Sequence, residues 1–325
     1  MNRFLKILFV LSLSMLFTFL CFYFWASSAN LSSDKYAKTY INQYPTRINN
    51  DSIFSIVTYN IGYLSGMTNN LAIEKPKSLF DNNLQTITNQ FKKINPDIIA
   101  FQEIDFDSKR SYHINQQNEI AKLGYNFIGE AINWDKKYLP FPYFPISMQF
   151  GKILSGQSIL SKYKIVNQER FILKRNKTNS FYYDAFYLDR LAQIIKIKIR
   201  RETLVLINVH LEAFHQETRL KQTKKVIELY RRYSNKYPTI LLGDFNSDIN
   251  YNDASINLLL KLNKTGNAVF NTKDIQNTFN SKKPTERLDY IFYNTDFIKF
   301  IDGRVLTEFE QASDHLPLLM NFKIK

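Results

Sequence analysis

Ile240-Leu241-Leu242-Gly243-Asp244-Phe245-Asn246-Ser247 joins an apolar run to a polar one. Three aliphatic residues after Pro238 predict a buried strand. Gly243 lets the backbone pass close to a neighbour. Asp244 and Asn246 are two apart, so they share a side if strand geometry persists. A buried strand ending in a carboxylate and an amide sets two costly polar groups at the rim of a core. That rim suits a phosphate, a metal ion or a water that must lose a proton. It also suits an ordinary Asx-turn. The other strand ends of the chain bear on the choice.

Before this run, the pattern predicts a strand over 53–59 that meets a turn at Asn60-Ile61-Gly62. Phe80, Leu84, Ile87, Phe91 and Ile94 recur in steps of four and three, one face of a helix that Asn95-Pro96 ends. A short buried strand over 97–101 leads into Gln102-Glu103. A helix is expected over 111–123, stopped by Gly124, and strands over 125–128, 157–160, 190–199 and 203–209, the last running into His210. Residues 133–150 hold six aromatics and Pro140, Pro142 and Pro145. The prolines argue against a helix or a central strand, so an ordered aromatic loop is expected. Within it, Phe141, Tyr143 and Phe144 are expected to border the mouth of a site. Further helices are expected over 218–233 and 253–262. Strands are expected over 288–293, which contains Asp289, over 305–309, and over 316–322 after Ser313-Asp314-His315. Strands and helices are interspersed without a linker from residue 52 to 325, which predicts one domain of α/β or α+β class.

Residues 1–29 stand apart. Arg3 and Lys6 precede an uncharged stretch from Ile7 to Ala26, and about 20 apolar residues can span a bilayer. Ser27-Ser28-Ala29 offers a small-residue cleavage site. The segment is therefore expected to be a signal-anchor or a signal peptide, and 30–51 a polar tether. The leading positive charges favour a cytoplasmic N-terminus. The remainder would then be membrane-anchored outside the cytoplasm, or exported. Cys21 is the only cysteine and lies inside the apolar stretch. Disulfides, thiolate chemistry and Cys-rich zinc sites are excluded for the rest. The net charge of +14 attracts polyanions: nucleic acid, anionic lipid headgroups or phosphorylated metabolites. A Lys- and Asn-rich compositional habit would produce the same excess with no partner.

Six strand-like runs carry polar residues at or near their ends: Asn60, Glu103, His210, Asp244 with Asn246, Asp289, and Asp314 with His315. Each alone has a bland reading as a turn, a cap or a solvated end. Together, Thr58-Tyr59-Asn60-Ile61, Phe101-Gln102-Glu103, Asn208-Val209-His210-Leu211, Gly243-Asp244-Phe245-Asn246, Arg287-Leu288-Asp289-Tyr290 and Ser313-Asp314-His315-Leu316-Pro317 resemble the endonuclease/exonuclease/phosphatase superfamily, the deoxyribonuclease-like group, over about residues 53–323. The resemblance implies a four-layer sandwich of two packed β-sheets flanked by helices. It also implies hydrolysis of a phosphoester with magnesium or manganese.

Residue by residue, the resemblance implies metal-side roles for Asn60, Glu103 and Asp314. Asp244 would activate the attacking water, with Asn246 as its orienting partner. Asp289 and His315 would form a carboxylate–imidazole pair, with His315 contacting the phosphate. His210 would be the second imidazole on the phosphate oxygens, or the leaving-group acid. No partner for His210 is legible near Gly156-Gln157-Ser158. Arg190 is a further phosphate-contact candidate. The expected partners are a lipid headgroup or nucleic acid as substrate, and a membrane through the N-terminal span, with the protein a monomer. A nuclease and an inert phosphate-ligand binding module are the alternatives.

Overall fold

The computed structural model describes residues 3–48, 52–270 and 276–325. Among the described residues thirteen strands follow one another: β1 Ala37–Ile41, β2 Phe54–Asn60, β3 Ile98–Asp105, β4 Phe127–Leu139, β5 Gly151–Ser161, β6 Ile165–Ile172, β7 Leu191–Ile199, β8 Glu202–His210, β9 Thr239–Asp244, β10 Thr265–Asn267, β11 Asp289–Asn294, β12 Ile298–Val305 and β13 Leu318–Ile324. The helices are α1 Arg3–Ser27, α2 Lys77–Ile94, α3 Gln116–Ala121, α4 Phe181–Asp184, α5 Gln216–Ser234 and α6 Asn257–Leu260. One sheet has the order β1-β4-β5-β3-β2-β13-β12, the other β10-β11-β9-β8-β7-β6.

Alternation along the strands builds the layers. Ile240 and Leu242 pack with Ile56, Ile98, Leu206 and Met320 between the two sheets. Leu241, pointing the other way, packs with Val226, Leu229 and Tyr230 of α5. On the far side of the first sheet, Val57 and Ile99 meet Phe80, Ile87 and Phe91 of α2. Strands buried on both faces read as continuous apolar runs, which is why 240–242 shows no polar alternation. Each buried aliphatic contributes about 1.5–3 kcal/mol. The result is the expected helix–sheet–sheet–helix sandwich. Two parallel pairs, β2–β3 and β8–β9, are each joined through a helix, α2 and α5. Gly243 sits at φ 135°, and a Cβ there would lie 2.0 Å from the Val209 carbonyl oxygen. The close neighbour expected of this glycine is β8.

Several expectations need correction. Residues 133–139 are not loop: β4 runs to Leu139 and pairs with β5, because the prolines begin only at Pro140. The expected helix over 111–123 shrinks to α3, since Tyr112 and His113 take positive φ and break it. The strand expected over 305–309 lies earlier, at β12, and 307–309 is a single helical turn. β6 was not expected, because its edge position leaves Val166, Asn167 and Glu169 outside the core and blurs the alternation.

The tether expectation also changes. Ala37–Ile41 is the edge strand β1, antiparallel to β4, and residues 49–51 lie outside the described residues. The segment before β1 is stapled by the buried Asp135. Its carboxylate accepts hydrogen bonds from the Asn30 N–H (2.8 Å), the Asn30 amide (2.7 Å), the Leu31 N–H (2.9 Å) and the Tyr36 hydroxyl (3.1 Å). Asp135→Ala is expected to lower stability by about 1.5–3 kcal/mol, the range for hydrogen bonds to a charged group. Thermal unfolding of the detergent-solubilised chain measures it, and an unchanged midpoint would refute the staple.

Candidate active site

Strand register gathers the polar ends. His210 and Asp244 are partners across the parallel β8–β9 pair, and Asp289 is opposite Asp244 across β9–β11. In the facing sheet, Asn60 is opposite Gln102, beside Glu103. Asp314 and His315 lie on the segment entering β13. All the residues expected at the site therefore occupy one rim. Asp289 stands behind His315, and the others line a single cleft of about 810 Å³.

Asp244 is at the centre, 1% exposed. Its carboxylate accepts the Asn60 amide at 3.0 Å and the Asn246 N–H at 2.8 Å. The second bond is an Asx-turn, and Asn246 has φ 49°. Strand geometry thus does not persist past Asp244, yet the turn still brings the Asn246 amide to 3.4 Å from its carboxylate. His210 Nε2 and His315 Nε2 lie 3.6 and 3.8 Å from Asp244 Oδ2. Burial pushes the Asp244 carboxyl up to about 7, against the pull of His315 and the Asn60 hydrogen bond.

His315 Nδ1 is 2.8 Å from Asp289 Oδ2, which also accepts the Thr278 hydroxyl at 2.6 Å. Phe279 packs on the ring, centroid to centroid 5.0 Å. Burial opposes charge on His315, but Asp289 and Asp244 outweigh it and hold the imidazole well above its ordinary value. His210 goes the other way. Burial and then the Arg190 guanidinium push it well below the ordinary value. Arg190 Nη1 donates to His210 Nε2 at 2.5 Å, so the ring proton is on Nδ1, which has no hydrogen-bond partner among the described residues. Arg190 in turn is held by Tyr187 at 3.4 Å and lies 3.8 Å from the buried Glu212. The partner that 156–158 did not supply for His210 is this arginine.

Glu103 and Asp314 converge on one amide. Asn69 Nδ2 donates to Glu103 at 2.9 Å and lies 3.4 and 3.5 Å from the two Asp314 oxygens. Burial and the Asp314 charge raise the Glu103 carboxyl. Glu103 also takes φ 50° at a bulge between β3 and β5, a conformation that costs a non-glycine residue about 1–3 kcal/mol. Two oxygen-rich acids whose near donors are neutral, the Asn69 amide and the Ser313 hydroxyl on Asp314 at 3.2 Å, fit a hard divalent cation. Asp244, Asp289 and His315 also lie close enough together to hold an ion. There the protonated His315 already supplies the positive charge, so the Glu103–Asp314 pair is the better cradle. Asn60, expected on the metal side, ties Asp244 to the Gly62 N–H, which its side-chain carbonyl oxygen accepts at 3.1 Å.

Four contributors escaped the sequence reading: Asn69, Tyr187, Glu212 and Thr278. None ends an apolar run in a recognisable pattern. Only Glu212, two residues after His210, stood near a motif. Beneath the rim, two amides join the sheets: Gln102 donates to Asn208 at 2.6 Å and Gln193 to the Gly129 carbonyl at 2.8 Å. Phe141 and Tyr143 line the cleft as expected. Phe144 does not, and is 83% exposed.

The match to known proteins agrees with this geometry. No curated protein sequence matches the chain. Among solved structures, an endonuclease/exonuclease/phosphatase from Beutenbergia cavernae DSM 12333 is 17% identical, with a TM-score of 0.60 over 84% of this chain and 72% of that one. A mannosyl-6-phosphatase from Bacteroides thetaiotaomicron VPI-5482 is 16% identical, with a TM-score of 0.58 over 83% and 99%. The human nocturnin catalytic domain with bound sulfate anion is 15% identical, with a TM-score of 0.58 over 89% and 98%. At these identities the likeness is one of fold. The model of the endonuclease/exonuclease/phosphatase family matches residues 57–315, the span that contains every polar strand end described above, and the chain belongs to that family.

Proposed function

We propose that this protein is a divalent-cation-dependent phosphoester hydrolase, held at a membrane by α1 with its domain outside the cytoplasm. One observation carries the reading: a buried carboxylate, Asp244, is fixed by two amides between two imidazoles and beside a pair of converging acids. Asp244 takes a proton from the attacking water. A base near 7 matches neutral operation, and Asn60 and Asn246 hold its oxygens in place. The protonated His315, kept charged by Asp289, and Arg190 face the phosphoryl oxygens and stabilise their charge. His210 is a neutral imidazole that orients Arg190, so the leaving-group acid role finds no support. Glu103 and Asp314 would hold magnesium or manganese, which when bound neutralises charge on the phosphate.

α1 is long and apolar enough to cross a membrane, and the positive charges before it favour a cytoplasmic start. A nuclease reading has the family and the net charge behind it, while the packing of α1 beside the cleft favours a substrate at the membrane. An inert binding module would have no need of a strained Glu103 or a base at about 7.

The test is a substrate panel on the full-length protein: a nitrophenyl diester, plasmid DNA, RNA, sphingomyelin and phosphoinositides. Hydrolysis of at least one is expected with magnesium, loss in chelator, and recovery with magnesium or manganese. Full activity in chelator would refute the metal requirement. Glu103→Gln should raise the magnesium concentration needed for half-maximal activity.

A further inference from the structure

The cleft above Asp244 is not built by the catalytic domain alone. Phe19, Phe22 and Tyr23 of α1 share its wall with Tyr143, Phe150 and Phe186. We infer that this wall receives the apolar tail of a membrane phosphodiester lipid that enters sideways from the bilayer, which makes the anchor helix part of the substrate site. The inference rests on the phosphoesterase reading and adds its substrate class.

The position of α1 is determined by contacts. Tyr23 packs edge-on against Phe186 with ring centroids 5.7 Å apart, Phe22 against Tyr138 at 5.9 Å, and Trp25 stacks on Tyr138 at 6.2 Å. Lys136 donates to the Ser27 carbonyl at 3.0 Å and the Lys137 N–H to that of Ser28 at 2.9 Å. The Asp135 staple follows at once. The helix therefore leaves the domain in one direction, with its aromatic side turned to the cleft.

Depth agrees with a lipid. The uncharged stretch ends at Ala26. Phe19 is about 10 Å from that end at the helical rise per residue, and half a hydrocarbon core is about 15 Å. The α1 wall of the cleft thus lies at the depth of the acyl chains of one leaflet. Phe214 of the cleft lining (78% exposed), with Phe144 (83%) next to the lining Tyr143 and Phe181 (78%) next to the lining Tyr182, presents apolar surface to the outside. Such a patch on a monomer needs a cover, and aromatic residues beside a span belong at the membrane interface. Without Arg3 and Lys6 at the start of α1, the net charge of +14 falls by 2 to +12, and this excess draws the domain toward anionic lipid. Aromatic walls also stack nucleotide bases, but the α1 side of this wall belongs to a helix long and apolar enough to cross a membrane, a place that a polyanion does not enter. In the reaction the water oxygen bonds to phosphorus and one ester P–O bond breaks. The proton taken by Asp244 returns to the leaving alkoxide, giving an alcohol and a phosphomonoester.

The test uses the full-length chain in vesicles of phosphatidylcholine, phosphatidylglycerol and sphingomyelin. Release of alcohol or phosphomonoester is followed and compared with the deacylated head group glycerophosphocholine, with plasmid DNA, and with bis-(p-nitrophenyl) phosphate. A vesicle lipid should be hydrolysed at least about tenfold faster than the deacylated head group, since an apolar contact in a pocket discriminates by that order. Joint replacement Phe19→Ala and Phe22→Ala should lower the ratio of lipid to nitrophenyl turnover by about tenfold or more. In the unmodified protein, phosphatidylcholine with a photoreactive acyl chain should label residues 19–23, a readout that does not depend on a variant folding. Hydrolysis of the nitrophenyl diester with no preference for acylated substrate, or with preference for DNA, would overturn the inference and leave the phosphoesterase reading standing. An unchanged ratio in the variant together with absent labelling would overturn it as well. Refusal of every phosphoester would remove the reading beneath it.

Discussion

Asp244→Asn is expected to lower kcat/KM for phosphoester hydrolysis by about 10²- to 10⁴-fold, the range for a positioned general base. The change keeps the size of the side chain and removes only its basicity. The Asn60 and Asn246 amides hold an asparagine in nearly the same place, at the cost of one mismatched hydrogen-bond donor. Circular dichroism should therefore stay unchanged while turnover collapses. A second readout separates chemistry from folding. The folded Asp244 carboxyl is pushed up to about 7 from 3.8, so the native state keeps this proton after the unfolded chain has released it. That contribution makes stability fall as pH rises between these two values. In metal-free protein the Asn variant should show a flatter stability–pH profile over that window. Activity within threefold of wild type would place the base elsewhere.

His315→Ala and Asp289→Asn should each reduce kcat/KM by about 10²-fold or more, as for loss of a charge-stabilising group. Asp289 acts through His315: its oxygen is 2.8 Å from Nδ1, and it keeps the ring charged. The double variant should therefore lose much less than the product of the two factors, with a coupling of about 0.5–3 kcal/mol. Strict multiplication of the two losses would refute the dyad. The pH dependence of stability gives an independent check. A raised imidazole stabilises the fold fully below about 6.5 and stops doing so as pH rises through its folded value. Asp289→Asn removes most of that elevation. In metal-free protein its thermal midpoint should fall most at low pH. Above the folded value only a pH-independent loss should remain, from the weaker, neutral hydrogen bonds that an amide oxygen accepts from Thr278 and His315.

The site was largely legible because its residues close apolar runs. Asn60, His210, Asp244 and Asp289 each sit at the end of a strand whose two faces are buried, and such a run has a clear boundary in one dimension. Glu103 was also marked by position, though its left-handed conformation was not. Its bulge depends on β5, which is far away in sequence. Asn69 and Thr278 were invisible for the same kind of reason. Each is a common polar residue in an irregular segment, and its role exists only because Glu103, Asp314 or Asp289 arrives beside it. The partner of His210 was sought in the wrong strand. β7 runs antiparallel to β8, and that pairing brings Arg190 to the ring.

The sandwich class followed from the resemblance of the strand ends to a known family. What the sequence determined by itself is one domain of mixed strands and helices, the order of its main elements, the polar strand ends and the apolar N-terminal helix. These rest on periodicity and on the cost of burying polar groups, which act over a few residues. The tertiary structure alone decided three things: that 37–41 is an edge strand, that the aromatic stretch begins as part of β4, and that α1 closes one side of the cleft. Each depends on contacts between separate segments, from 12 positions apart for Leu139 with Gly151 to 105 for Asn30 with Asp135 and 163 for Tyr23 with Phe186. Sheet register and side-chain packing set those contacts, and neither leaves a repeating signal along the chain.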